Sequence, residues 1–357
     1  MAQNRLAMNG MSNAGVHQTP LRGTALCTSD LSWQPLVHAI LQDCNLVTPE
    51  YEMKWNAVYR HSAEPDYSAM DRLSDFAANK ALAMHGHTLW WHESIPKAQL
   101  DGSNGEFADR AVDHLKTTVT RYAGQMSSWD VVNEALEPAH GLQGGLRSTR
   151  FLAALGPDYI ALAFHQVAAL DPDAILVLNE MGLEYASPDA EQKRRLMLAL
   201  LERELVRGTP IGCLGIQSHL TALEQPRAHP ELRAFLREIR RMGLSVMVTE
   251  MDVSDHLCPR DRRQRDAMVA DTYRAYLDLV LSESHALAVT TWGLADHRTW
   301  LNRFRPRADH ARQRPLPLDS ALRRKPAWHA LQKALFSPAP DADADATASG
   351  NPWETTR

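Results

Sequence analysis

The chain has 357 residues, with 38 Lys and Arg against 43 Asp and Glu, a formal net charge of −5 and 44% hydrophobic residues. That balance excludes a basic nucleic-acid footprint, and no apolar run reaches the length of a membrane span. Ordinary apolar and charged fractions also exclude disorder over the whole length, and the size allows one barrel-type domain or two smaller ones.

Residues 1–20 are polar and irregular and carry no apolar stretch of a secretory signal. Apolar, β-rich runs then recur at 23–26, 45–47, 82–88, 128–132, 175–179, 213–217, 245–249 and 287–292. Helix-period stretches separate them. In 229–242, Leu232, Phe235, Leu236 and Ile239 fall at i, i+3, i+4 and i+7, one buried stripe on a charged helix. Pro230 suits its first turn and Gly243 its end. The stretch 188–207 opens with Ser187 and Pro188 and stops before Gly208, by the same logic. Residues 337–357 are rich in Ala, Asp, Pro and Ser, which predicts a disordered tail. The ordered domain is therefore 21–336. Cys27, Cys44, Cys213 and Cys258 are scattered, which predicts free thiols and leaves a Cys27–Cys44 disulfide open.

Eight strand–helix units predict a parallel sheet covered by helices, and eight close naturally into a single (β/α)8 barrel. An open doubly wound sheet is the alternative. No Gly-rich phosphate loop follows the first strand, so that alternative loses its usual nucleotide signal. In a barrel, chemistry sits where strands end. Polar and aromatic residues do concentrate there. Glu50 and Lys54 follow strand two, and His85, His87, Trp91 and His92 end strand three. Asp130, Asn133 and Glu134 end strand four, Asn179 and Glu180 strand five, and Gln217 and His219 strand six. Glu250 and Asp252 end strand seven, and Trp292, Asp296 and Trp300 follow strand eight.

So many polar groups at one mouth are costly unless a polar ligand or mutual hydrogen bonds satisfy them. Indole faces beside amides and carboxylates suit a sugar. Glu134 and Glu250, from strands on opposite sides of the mouth, are the pair that glycosidic cleavage needs: one acid donates a proton, the other attacks or activates water. Two close acids do not both ionise easily, so one is expected to stay protonated. His219 and Asp252 could hold Glu250 ionised. This chemistry requires no metal and no organic cofactor. Two rivals remain. A metal-dependent hydrolase would use His85, His87, His219 and Asp296 as ligands; a barrel that binds carbohydrate without cleaving it would need neither acid. The Arg-rich stretches 260–265 and 303–314 read as solvated charge, or as an attraction for an acidic, uronate-bearing glycan.

These residues resemble glycoside hydrolase family 10, the retaining endo-β-1,4-xylanases. The matching segments run from Asn45 to Glu50 with Met53-Lys54-Trp55, then from His85 to His92, and Ser128-Trp129-Asp130-Val-Val-Asn133-Glu134-Ala135. They continue with Gly215-Ile-Gln217-Ser-His219-Leu220, Val248-Thr249-Glu250-Met-Asp252-Val253, and Trp292-Gly293 through Asp296 to Trp300. The resemblance implies a (β/α)8 barrel with Glu134 as acid/base and Glu250 as nucleophile. It implies that Lys54, His87, Asn133, Gln217, Trp292 and Trp300 surround the sugar at the cleavage point, and that Glu50 binds the next sugar on the non-reducing side. His219 and Asp252 would support the nucleophile, Trp91 and His92 the cleft wall, with Asp130 among the supporting residues. The implied partner is a polysaccharide or oligosaccharide; no nucleic acid and no membrane partner is expected, and a monomer is. An extracellular or periplasmic setting is also implied, although residues 1–20 carry no signal stretch.

The sequence departs from the family at two places. Tyr51 stands where the family usually has Asn after the Glu aligned with Glu50, and Met181 stands where it commonly has a Tyr beside the leaving-group sugar. Both neighbouring subsites are expected to differ. Xylan is the expected substrate, with a decorated or microbial polysaccharide as the alternative.

Overall fold

A computed structural model of the chain describes residues 19–60, 64–224 and 229–336. The segments expected to be irregular, 1–20 and 337–357, lie outside it except for residues 19 and 20. Eight parallel strands form the barrel: β1 (Leu21–Leu26), β2 (Leu46–Pro49), β3 (Ala83–Gly86), β4 (Ser128–Asn133), β5 (Ile175–Glu180), β6 (Cys213–Ile216), β7 (Ser245–Ser254) and β8 (Ala286–Thr291). Each pairs with the next, and β1 pairs with β8, with Leu21 opposite Ala288, so the sheet closes on itself. All eight runs read from the sequence are strands, with ends displaced by a few residues. β3 and β6 resume briefly above their ends, as Trp90–Trp91 beside β4 and His219–Thr221 beside β7.

One covering helix of ten residues or more follows each strand: α1 (Gln34–Asp43), α2 (Ser68–Asn79), α3 (Asn104–Tyr122), α4 (Tyr159–Leu170), α5 (Pro188–Val206), α6 (Pro230–Arg241), α7 (Arg262–Glu283) and α8 (Pro326–Phe336). Local chemistry sets their ends. The Ser187 hydroxyl accepts from the Ala190 N–H at the start of α5 (3.2 Å), and the Asp261 carboxylate accepts from the Gln264 N–H at the start of α7 (2.9 Å). α6 begins at Pro230 with the His229 ring as its cap, and Gly243 follows it at φ +79°, a conformation that favours glycine. The stripe Leu232, Phe235, Leu236 and Ile239 is buried as expected. Four such side chains contribute roughly 6–12 kcal/mol of gross burial energy, an upper bound.

The core has two compartments. A large apolar layer lies between strands and helices. A smaller plug of Leu46, Ala83, Val177, Cys213, Met247, Leu287 and Ala288 fills the barrel. Two residues further along their strands, the positions sharing the inward face with Val177, Cys213 and Met247 are Asn179, Gly215 and Thr249, because strand side chains alternate. Polar groups therefore replace the apolar plug just below the mouth. Gly215 makes room for this: a Cβ there would collide with Asn179 Oδ1. Among the described residues, all four cysteines are free thiols, and no helix is long and apolar enough to cross a membrane.

Candidate active site

Glu250 lies within β7, the longest strand, and Glu134 is the first residue after β4. Glu134 has φ +58°, in the left-handed region, and its backbone is pinned on both sides. Its N–H donates to the Asn179 carbonyl (2.9 Å), and its carbonyl accepts from Arg147 Nε (2.9 Å). Holding a non-glycine residue in that region costs about 1–3 kcal/mol, which the surrounding bonds must offset.

A chain of amides joins the two carboxyl groups. Gln217 Nε2 donates to Glu134 Oε1 (2.9 Å) and reaches Asn133 Oδ1 (3.4 Å). Asn179 Nδ2 donates to that same Asn133 oxygen (2.9 Å) and to Glu250 Oε1 (2.8 Å). The Thr249 hydroxyl donates to Asn179 Oδ1 (2.8 Å), which fixes the orientation of the amide. Asn133 Nδ2 lies 3.5 Å from Glu134 Oε1. Both carboxyls are buried, with residue exposures of 7% for Glu134 and 5% for Glu250.

The other oxygen of Glu250 meets His219 Nε2 at 3.3 Å. His219 Nδ1 meets Asp252 Oδ1 at 3.0 Å, and Trp300 Nε1 donates to Asp252 Oδ2 (2.7 Å). Burial disfavours the charged imidazole, but the charge and hydrogen bond of Asp252, then those of Glu250, outweigh it and push His219 up to about 10. His219 is thus an imidazolium at neutral pH. Burial also pushes Glu250 up. Its hydrogen bond to His219 and the charges of His87 and His219 prevail, and hold the carboxyl below its ordinary range.

A second buried triad supports the wall of the mouth. Asp130 Oδ2 accepts from His87 Nδ1 (2.8 Å) and lies 2.9 Å from His85 Nε2, while His85 Nδ1 meets the Ser128 hydroxyl (2.7 Å). Burial would raise Asp130, but the two histidines bring it down to about 2. The His87 ring meets the edge of Trp292 at 5.1 Å between centroids. Lys54 Nζ lies 4.7 Å from the Trp91 ring centre and 5.8 Å from that of Trp292. Burial lowers the Lys54 pKa, while Glu250, Glu50 and Glu134 pull it back. Lys54, Trp91, His87 and Trp292 therefore form one wall near the carboxyl pair. His92 stands at its edge, 3.9 Å from Glu93. Burial and the Arg147 charge push it down to about 4, so it is neutral at ordinary pH.

Glu50 takes a different partner. Arg298 donates to its Oε2 and to Asp30 Oδ2 (both 2.8 Å), and Cys27 Sγ is 3.5 Å from the same Glu50 oxygen. Nearby, Arg60 lies 4.9 Å over the Tyr51 ring, and Met181 is 40% exposed. The four residues of the metal-site rival are engaged separately. His85 and His87 share Asp130, His219 joins Asp252 and Glu250, and Asp296 pairs with Lys325 Nζ (2.8 Å). Among the described residues, no group of three His, Cys, Asp or Glu is arranged to hold a metal ion.

Three members of this site were not singled out from sequence. Asn179 sits directly opposite Asn133 in register, so an amide at the end of strand five was the available signal. Thr249 follows from the two-residue alternation of β7. Arg298 gave no signal, since its partner Glu50 is 248 positions away.

A closed parallel barrel with two hydrogen-bonded carboxyls across its mouth, walled by indoles, defines a glycosidase type of site. The family model described as Glycosyl hydrolase family 10 matches residues 13–334. Endo-1,4-beta-xylanase C of Paenibacillus barcinonensis is 32% identical over 80% of this chain, which spans only 28% of that relative's length. Endo-1,4-beta-xylanase B of the same organism is 32% identical over 74% of this chain and 81% of the relative. The solved structure of native xylanase 10B from Thermotoga maritima superposes with a TM-score of 0.80 at 25% identity, covering 89% of this chain and 95% of that one. The chain belongs to glycosyl hydrolase family 10.

Proposed function

We propose that the chain is a retaining endo-glycoside hydrolase that cleaves β-1,4-linked polysaccharide, xylan first, by double displacement. The observation that carries the reading is the single hydrogen-bonded chain from Glu134 through Gln217, Asn133 and Asn179 to Glu250, backed by His219 and Asp252. Residues 21–336 act as one catalytic domain in this reading. The xylanase relatives support the choice of substrate.

Glu134 enters the reaction protonated and gives its proton to the glycosidic oxygen. Glu250 attacks the anomeric carbon as the C–O bond breaks, through an oxocarbenium-like transition state. The leaving sugar departs as an alcohol, and a covalent glycosyl ester remains on Glu250. Glu134, now ionised, takes a proton from water. That water attacks the same carbon, releases Glu250 and yields the sugar with retained configuration. In this reading Asn133 and Gln217 hydrogen-bond the sugar hydroxyls beside the reacting carbon. Lys54, His87, Trp292 and Trp300 close around the same sugar, and Trp91 and His92 shape the cleft wall. Glu50 binds the second sugar on the non-reducing side.

The test is proton NMR of xylan hydrolysis at early times. The β-anomer should appear first, and mutarotation should follow. An initial α-anomer would mean inversion, for which the two carboxyls should be about 6.5–9.5 Å apart instead of about 5–5.5 Å. A second reading keeps the chemistry and changes the polymer. The Arg298 clamp on Glu50, Tyr51 beneath Arg60 and exposed Met181 favour a decorated or microbial polysaccharide.

A further inference from the structure

We infer that the rim between the loops after β7 and β8 is an accessory subsite for a carboxylate-bearing sugar of the substrate polymer. The inference deepens the hydrolase reading above and rests on it.

The rim begins inside the mouth. Trp300 donates to Asp252, and its ring lies 4.9 Å from that of His219. One helical turn further, Phe304 packs 5.2 Å from Trp300 and leaves 64% of its surface exposed. An aromatic track thus runs from the reaction centre onto open surface, and an exposed ring face of this kind packs on the C–H face of a pyranose.

Arginines flank that track. Arg303 lies 5.6 Å over the Phe304 ring. Arg305 donates to the Thr221 hydroxyl (3.1 Å), on the short strand that also carries His219. Arg260 is 85% exposed, and Arg312 donates to the His297 carbonyl (3.2 Å). Neutral groups therefore hold three of these four guanidiniums in place. The nearby carboxylates are committed elsewhere: Asp309 to Arg307, Asp255 to Arg265, Asp266 to Arg314 and Asp252 to His219. Asp309 reaches Arg260 only at 3.8 Å. Asp261 caps α7, and Glu224 is an exposed acid of the facing loop. Cations exceed free acids on this rim although the whole chain carries −5.

Solvated charge alone would leave flexible arginines with no preferred direction. Here stacking and hydrogen bonds to neutral groups orient them beside an exposed ring. Guanidinium favours carboxylate through paired N–H donors. A nucleic acid would need a broader basic footprint than this rim on an acidic protein. Uronic acid side groups on a glycan combine the two features, a pyranose face and a carboxylate.

The experiment compares one xylan carrying uronic acids with the same polymer after reduction of its carboxyls to alcohols. Wild-type kcat/KM should be about fivefold higher on the uronate form at low salt. The preference should vanish at about 0.5 M salt, where surface charges are screened. The double variant R303E/R305E should lose the preference while keeping wild-type kcat/KM on the reduced polymer, and Phe304→Ala should raise KM on both. Equal wild-type rates on the two polymers at low salt overturn the inference, as does a preference that survives in R303E/R305E. If neither polymer is cleaved, the hydrolase reading fails by itself. Retardation of the folded wild-type protein in gels containing either polymer then decides: slower migration only with the uronate form supports the subsite, and equal migration overturns it.

Discussion

Glu250 and Glu134 share one mouth but are held by different kinds of donor. Glu250 accepts from the Asn179 amide on one oxygen and faces an imidazolium on the other, with Asp252 and Trp300 behind that ring. The donors to the Glu134 carboxyl are the neutral amides of Gln217 and Asn133, and both arrive at Oε1. A charged donor stabilises an anion far more than a neutral amide does. The division of labour proposed for these two identical side chains therefore resides in their neighbours. Glu250 is held as an anion beside a charged partner, while the donors to Glu134 are neutral.

The largest expected effect is that of Glu250→Ala. Without the proposed nucleophile, kcat should fall by about 10^4-fold or more on every substrate, including an activated aryl glycoside. Glu134→Ala should cost about 10^2–10^4-fold on polymer, whose leaving group needs a proton. It should cost little in the first step on a dinitrophenyl glycoside, whose leaving group does not. Steady-state kinetics on the two substrates measures both numbers. Equal losses for Glu134→Ala on polymer and aryl glycoside would erase the distinction between the two carboxyls.

Asp252→Asn probes the charge behind Glu250 and should come next, at about tenfold in kcat/KM near neutral pH. In the wild type His219 is raised to about 10, so its pairing adds stability that is fully present below the ordinary histidine value of 6.5 and is lost as pH rises through 10. Glu250 is depressed, so its ionised form persists until pH falls below the ordinary carboxylate range. Removing the Asp252 charge takes away the largest cause that raises His219 and leaves Glu250 alone against burial. The ring then loses its proton at lower pH than in the wild type, and Glu250 is held less firmly as an anion. The acid limb of the kcat/KM profile should move to higher pH. An unmoved limb would show that His219 does not set the charge of Glu250.

The barrel and most of this site were legible because they are repetitive. Eight apolar runs, each followed by a helical period, specify strand order through local pattern alone. Barrel geometry then gathers every strand end at one face. Glu134, Asn133, Gln217, His219, Glu250 and Asp252 could be grouped from sequence because each lies at or just past the end of an apolar run, although β7 continues through Glu250 and Asp252 to Ser254. Arg298 could not. It belongs to an irregular loop, and its grip on Glu50 depends on how the loop after β8 folds over the start of the chain. Cys27 in that same corner is a half-buried free thiol. Asn179 was visible as a strand end, but its role depends on a register that places it between Asn133 and Glu250.

Gln217→Met should give the smallest effect and sharpen the contrast most. It removes a neutral donor from Glu134, while Asn179 still bonds both Asn133 and Glu250. A neutral hydrogen bond contributes about 1 kcal/mol net, so the chemical step on polymer, which depends on Glu134, should slow about fivefold. KM should also rise, because the same amide is proposed to meet a sugar hydroxyl. The acid limb should stay where it is, since His219 and Asp252 are untouched. Profiles for Gln217→Met and Asp252→Asn measured side by side therefore separate the two kinds of support. If loss of the neutral amide moved the acid limb as far as loss of the Asp252 charge, the amide chain rather than the imidazolium would be setting the ionisation of Glu250.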